Sequence, residues 1–250
     1  MTRILGVPMS VGTYAEVVRK CIEWAVHGDS RVLVFANVHV IMAGVDDSDY
    51  LKCLERADMV NPDGVPLVWT LKIMGNHHAT RVYGPDCTLQ LLAAAAVSGV
   101  PVGFYGGSPK TMESLLAVVR RDNPNLPINY AVSPPFGPLS DEDNDRVIEE
   151  IAASGTRILF VGLGCPKQEE WMTRNAGRLP AVMLGVGAAF DFIAGVKPQA
   201  PRWMMRLGLE WLFRLCSEPR RLGRRYLAYN PRFIVLIARQ LIFGESATRR

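Results

Sequence analysis

The sequence is poor in the residues that build disulfide frameworks and metal centres. Its 250 residues hold five cysteines and four histidines. Cys21, Cys53, Cys87, Cys165 and Cys216 are odd in number and widely spaced, and none forms a Cys-x-x-Cys pair. That excludes a cysteine-based zinc ribbon and fits a reducing compartment. His27, His39, His77 and His78 lack ligand-like spacing. No apolar run is long enough to span a bilayer. Met1–Pro8 has no continuous apolar core, so no signal peptide is expected. A phosphate loop ending in Gly-Lys-Ser/Thr is missing, as is a Gly-x-Ser-x-Gly nucleophile turn. There is no internal repeat and no low-complexity segment.

What is present is a globular composition. Apolar residues make up 49% and charged residues 21%, which supports a sizeable core and argues against disorder. The length suits one large α/β domain, or one domain with a small appendage. The net charge of +4 conceals an asymmetry. Residues 1–200 carry 17 Lys+Arg against 21 Asp+Glu, while residues 201–250 carry 11 Arg, no Lys and 3 Glu. A mildly acidic body with an arginine-only tail suggests that the tail meets an anion such as phospholipid, pyrophosphate or nucleic acid. Nucleic acid fits least well, because the body is acidic and the tail lacks lysine.

Periodicity predicts alternating elements. Helical spacing over 14–27 puts Val17, Val18, Cys21, Ile22 and Ala25 on one face. Strands are predicted at 31–37, 58–61, 102–105, 128–132, 157–161 and 181–186. Helices are predicted at 39–56, 65–74, 86–98, 109–121, from Ser140 to about 153, and from Pro166. The alternation predicts an α/β fold with a doubly wound, mainly parallel sheet, Rossmann-like, with right-handed crossovers. Beyond residue 200 the pattern turns helical, with Pro201, Pro219 and Pro231 as punctuation. This divides the chain into a body at 1–200 and a helical, arginine-rich C-terminal appendage at 201–250.

The stretch Asn61-Pro62-Asp63-Gly64 is a strong turn signal after a short apolar run. It places Asp63 where a strand hands over to a helix, the sheet edge at which α/β proteins bind ligands. Asp63 is therefore a candidate general base at that edge. On residue types alone the commoner role for such an aspartate is to cap the helix starting near Val65. Three glycine-rich stretches also follow strands: Gly103 to Ser108 with Gly106 and Gly107, Gly162 to Glu169 with Gly164 and Gln168, and Gly185 to Asp191 with Gly187. Such strand ends let a backbone approach a phosphate. None completes the dinucleotide fingerprint, since the third glycine position holds Lys167 in one and Phe190 in another. Together they predict a nucleotide pocket, with Asp191 facing a ribose or base. The triplet around Asp46, Asp47 and Asp49 reads as a solvated helix face rather than a cation site.

In the tail, Arg202, Arg206, Arg214, Arg221, Arg224 and Arg225 interleave with Trp203, Trp211, Phe213 and Tyr226. Arginines clamp phosphates and pair with aromatics at membrane interfaces. An ordinary amphipathic helix pair is the plain alternative. Residues 233–243 are apolar nearly all round, and so are expected either buried or at a membrane surface.

Seven ordered blocks between about residues 30 and 226 resemble the WecG/TagA/CpsF glycosyltransferase family. They are Asn37, Asn61-Pro-Asp-Gly64, Arg81-Val-Tyr-Gly-Pro-Asp86, Gly106-Gly107, Gly162-Leu-Gly-Cys-Pro-Lys-Gln-Glu169, Gly185-Val-Gly-Ala-Ala-Phe-Asp191, and Glu210-Trp-x-x-Arg214 with Glu218-Pro-Arg220 and Arg225-Tyr226. The resemblance implies an inverting transferase that moves a sugar from a UDP-sugar to a polyprenyl-diphosphate-linked sugar in surface polysaccharide synthesis. Asp63 then corresponds to the base, and Asn37 and Gln168 to sugar-pocket residues. Gly106, Gly107, Gly164, Gly187, Asp191, Arg81 and Asp86 fall in substrate-binding blocks. Arg214, Arg221 and Arg224 belong to the segment that would hold the acceptor diphosphate. Phe35 departs from the family's frequent threonine, so contacts made by that threonine do not carry over. The donor sugar stays open among N-acetylmannosamine, its uronic acid and glucose.

No metal or other cofactor is expected. The expected place is the cytoplasmic face of the inner membrane, held peripherally, and the chain could form a homo-oligomer. Two other readings remain: a nicotinamide-dependent oxidoreductase on the same sheet, and a non-catalytic peripheral membrane module. The first lacks a complete glycine fingerprint. The second leaves Asp63, Gln168 and Asp191 without a purpose.

Overall fold

A computed structural model of the chain describes residues 2–135, 137 and 139–244, without the side chain of Arg221. The first half runs β1 (Arg3–Ile4), β2 (Val7–Pro8), α1 (Tyr14–His27), β3 (Arg31–Ala36), α2 (Val38–Asp46), α3 (Ser48–Arg56), β4 (Met59–Pro62), α4 (Val65–Ile73), α5 (Gly84–Ser98) and β5 (Val102–Gly106). The second half runs α6 (Pro109–Asp122), β6 (Ile128–Val132), α7 (Asp141–Ala153), β7 (Ile158–Gly162), α8 (Lys167–Arg174), β8 (Val182–Gly185), α9 (Ala189–Ile193), α10 (Arg202–Arg206), α11 (Glu210–Ser217) and α12 (Pro219–Phe243).

Six strands form one parallel sheet in the order β4-β3-β8-β7-β5-β6. Successive side chains point to opposite faces, and both faces are buried. In β3, Val32, Val34 and Ala36 feed one core, while Leu33 and Phe35 feed the other. In β7, Leu159 and Val161 face the first core, and Ile158 and Phe160 the second. This is the doubly wound α/β architecture that the alternation predicts.

Three local features differ from the sequence reading. The single helix expected over 39–56 is two, because Asp47 accepts from the backbone N–H groups of Asp49 (2.8 Å) and Tyr50 (3.1 Å) and starts a new helix. A short antiparallel pair, β1 with β2, precedes α1. Pro231 does not punctuate: α12 runs through it for 25 residues. An interior proline costs about 3 kcal/mol. Here the helix is held on both sides of it by packing, since Leu222 is buried before it, and Phe233 and Ile237 are buried after it in the core that α2 also feeds. Gln240 adds a polar anchor: its Oε1 accepts from the Leu5 N–H (2.9 Å), and its Nε2 donates to the Arg3 carbonyl (2.7 Å). Of 233–243, one face is buried, and the other, with Ile234, Val235, Ile242 and Phe243, is exposed. No described helix is long and apolar enough to cross a membrane.

Candidate active site

Strand register brings the two leading candidates together. Ala36 pairs with Pro62 across β3 and β4, so the next residues, Asn37 and Asp63, leave adjacent strand ends at the same level. Asp63 N–H donates to the Ala36 carbonyl at 2.8 Å, which binds the two loops to each other. Gly64 is glycine for a steric reason: a Cβ there would lie 3.2 Å from Asn37 Cα. Asn37 starts α2, its Oδ1 accepting from His39 N–H (2.9 Å) and Val40 N–H (3.3 Å). The cap takes only the carbonyl oxygen of the amide.

Asp63 is no cap for α4. Gly64 holds that position and makes no side-chain cap bond. Instead, Asp63 Oδ1 accepts from the Gly84 N–H (3.0 Å) at the start of α5. The contact ties β4 to α5 and leaves Oδ2 unused. Phe35 supports this arrangement, because its ring lies 3.5 Å from where a Cβ on Gly84 would sit. Burial pushes the Asp63 carboxyl up to about 6, against the lowering pull of the nearby Arg81 charge. A carboxylate near pH 6 with a free oxygen is suited to accepting a proton at neutral pH.

Arg81 and the tail complete this edge. Arg81 Nε donates to the Asp63 carbonyl at 2.5 Å, and its Nη2 meets Glu210 Oε2 of α11 at 2.5 Å. Arg214, one turn on, stands 3.9 Å from Glu210 and lies over the Phe192 ring. Asn37, Asp63, Arg81, Glu210, Arg214 and Arg225 line the polar end of a cleft of about 750 Å³. His39, stacked on Tyr229 of α12, also lines it. Burial first, and the Arg225 charge second, hold the His39 imidazole down at about 4 and therefore neutral.

The other sequence candidates fall in two neighbouring groups outside this cleft's lining. Gly106 ends β5, and Gly107 after it lies beside Thr111, whose hydroxyl donates to Asp191 Oδ1 (3.2 Å). Gly106 adopts φ +125°, and a Cβ there would strike the Gly162 backbone at 2.5 Å. Lys197 pairs with Asp191 at 2.9 Å. In the second group, Gln168 is buried. Its Oε1 accepts from the Gly164 N–H (3.1 Å), and its Nε2 donates to Glu169 Oε1 (2.7 Å). The amide packs close to Gly185 and Gly187. Burial raises the Glu169 carboxyl to about 7.

Asp86 is engaged by Arg202 at 2.6 Å, a link from α5 to α10. Arg224 is exposed and outside the cleft lining, where Arg225 lies instead. The side chain of Arg221 lies outside the described residues. The acidic triplet has other partners: Asp47 caps α3, Asp49 meets Lys52 (2.7 Å) and Asp46 meets Arg232 (2.6 Å). No group of three or more His, Cys, Asp or Glu side chains converges on a common point among the described residues.

Sequence reasoning placed Glu210 and Arg225 in the tail's family blocks without a site role of their own, and gave His39 none. Glu210 carried one signal, being one of only three acids in an arginine-rich segment. His39 carried another, lying two residues after Asn37.

A half-buried carboxylate at the carboxyl edge of a doubly wound sheet, overhung by a cationic helical tail, places a candidate active site where enzymes of this fold class bind their ligands. The chain belongs to the glycosyl transferase WecG/TagA/CpsF family, whose model matches residues 2–247, and it is accordingly a glycosyltransferase. It is 29% identical over 197 residues to an N-acetylglucosaminyldiphosphoundecaprenol N-acetyl-beta-D-mannosaminyltransferase of Bacillus subtilis (strain 168), covering 77% of this chain and 74% of that one. It is 31% identical over 209 residues to the enzyme of the same name from Bacillus spizizenii (strain ATCC 23059 / NRRL B-14472 / W23), covering 82% and 77%.

Proposed function

We propose that the protein transfers N-acetylmannosamine from its UDP derivative to a polyprenyl-diphosphate-linked sugar, with inversion at the anomeric carbon. The observation that carries this reading is the Asp63 carboxylate. It is fixed through one oxygen to Gly84, has its other oxygen unused, and stands in a cleft with Arg81, Arg214 and Arg225. In the reaction, the acceptor hydroxyl attacks the anomeric carbon as its proton passes to Asp63. The new C–O bond forms while the bond to the UDP oxygen breaks, and UDP leaves with the electron pair. Arginine charge and helix N-termini stabilise the developing diphosphate, so no divalent metal is required. The choice of sugar and of acceptor rests on the names of the two relatives.

The donor nucleotide is assigned to the neighbouring strand ends around Gly106, Gly107, Gly187 and Asp191, with Gln168 held rigid beside them. Residues 201–250 act as an appendage that sits against the inner membrane's cytoplasmic face and brings Arg214 and Arg225 to the acceptor diphosphate.

The test is transfer from a panel of UDP-sugars to a short lipid-diphosphate-linked N-acetylglucosamine, read by mass spectrometry with and without EDTA. UDP-N-acetylmannosamine is expected to react best, with EDTA harmless. Preference for another donor would replace the sugar. Loss of activity in EDTA with recovery in Mn²⁺ would replace the metal-free mechanism.

A further inference from the structure

The active-site cleft does not end at its polar residues. It continues between α4 and α12 as an apolar groove. Trp69 and Ile73 line it from α4, and Phe233, Ile234, Ile237 and Leu241 from α12. The spacing explains the groove: positions 69 and 73, and positions 230, 234, 237 and 241, recur at helical intervals on one face of each helix. From Arg225 to Leu241 the groove follows α12 for about 24 Å.

Polarity changes along that length in one direction. Along α12, Arg225 and Tyr226 lie at the active-site end, Tyr229 and Asn230 follow, and from Phe233 on every lining residue is apolar. The two arginines within this part of the helix, Arg232 and Arg239, are not in the lining, and Arg232 is engaged by Asp46. Trp69 is 56% exposed, Ile73 69% and Ile234 67%. Large apolar side chains left open along one cleft mark a binding surface.

The geometry points to this groove as the binding site for the isoprenoid tail of the acceptor, holding the units next to the diphosphate while Arg214 and Arg225 hold the diphosphate itself. This rests on the proposed acceptor class. The occupant is fixed by the charge pattern: a cationic polar end joined without interruption to an apolar trough complements a molecule with an anionic head and an aliphatic tail. A purely apolar partner would leave the arginine end uncovered.

The test is calorimetric binding of dimethylallyl, geranyl and farnesyl diphosphates to the full-length protein in buffer without detergent or membrane. Each added unit brings five carbons, so full burial at the transfer value of a methylene would raise affinity about a thousandfold; in a groove open along one side, a rise of at least about tenfold per added unit is expected. The double variant Ile73→Ser/Ile234→Ser should flatten this dependence. Val235→Ser and Ile242→Ser, exposed positions outside the groove, should keep it.

Equal affinity for the three diphosphates in the unmodified protein would overturn the assignment, as would a chain-length gain that survives in the double variant. If the double variant instead changes the mass in solution while chain length has no effect, the groove covers a second copy and the assignment fails. Chain-length-dependent binding without sugar transfer would uphold the groove and overturn the proposed reaction, so the two fail separately.

Discussion

Arg81 and Glu210 meet at 2.5 Å across 129 residues of chain. Arg81 touches the Asp63 carbonyl with one nitrogen and reaches α11 with another. Glu210 is 8% exposed. The pair thus connects the tail to the candidate base. It also sets the electrostatics there: Arg81 favours the charged Asp63, and Glu210 disfavours it.

Glu210→Gln removes the opposing charge while keeping a hydrogen-bond acceptor for Arg81. The acid limb of the pH–rate profile should move below its position near 6, and turnover at pH 8 should fall about tenfold, equivalent to ~1.4 kcal/mol. Glu210→Ala strands the Arg81 charge and should also cost about 3 kcal/mol in stability. Profiles of the two variants, with denaturant melts, separate the effects.

Asp63→Asn should stabilise the protein while disabling it. A carboxyl whose folded pKa is raised binds its proton more tightly when folded, so stability falls as pH rises from about 4 to about 6. Above that window the full cost is present. The variant should therefore be more stable than the parent at pH 7.5 by roughly 1–3 kcal/mol, with the difference gone below pH 4. Glu169, raised to about 7, gives a parallel decline that this variant leaves in place. Urea melts at pH 3.5 and 7.5 measure the difference.

Asn37 has two duties that substitution can divide. Asn37→Ala loses the α2 cap and should cost about 1 kcal/mol. Asn37→Ser retains the cap and loses only the amide. If the amide serves the sugar, both variants lose transfer but only the first loses stability. A fully active Asn37→Ser would reduce the residue to a cap.

Gly64→Ala drives a methyl to 3.2 Å from the Asn37 backbone, where no flexible side chain can yield. Overpacking of this kind costs about 1–3 kcal/mol. The loops carrying Asn37 and Asp63 should separate, lowering transfer more than donor binding. Unchanged melting and transfer would mean that the two loops are not held in mutual contact.

The sequence made the sheet and the position of Asp63 legible because both depend on local signals. Strand-length apolar runs and the Asn-Pro-Asp-Gly turn need no knowledge of distant residues. The partner of Asp63 was not legible, since Gly84 lies 21 residues away on another helix. The Arg81–Glu210 pair was hidden for the same reason. Arg225 could not be told from Arg224 before the helix face was known. Pro231 misled because its local cost is outweighed by the packing of Phe233 and Ile237. The break at Asp47 was missed because a capping aspartate looks like any surface acid until its backbone partners are seen.

The role of Asp63 as proton acceptor is tested most directly by kcat/KM against pH for the parent and Asp63→Asn, with saturating lipid-diphosphate acceptor. The parent should show an acid limb near pH 6, and the variant should be 10²–10⁴-fold slower at pH 8 with that limb absent, on the usual worth of a general base of about that size. A variant within tenfold of the parent that keeps the same limb would contradict the assignment and leave Asp63 as a structural link between β4 and α5.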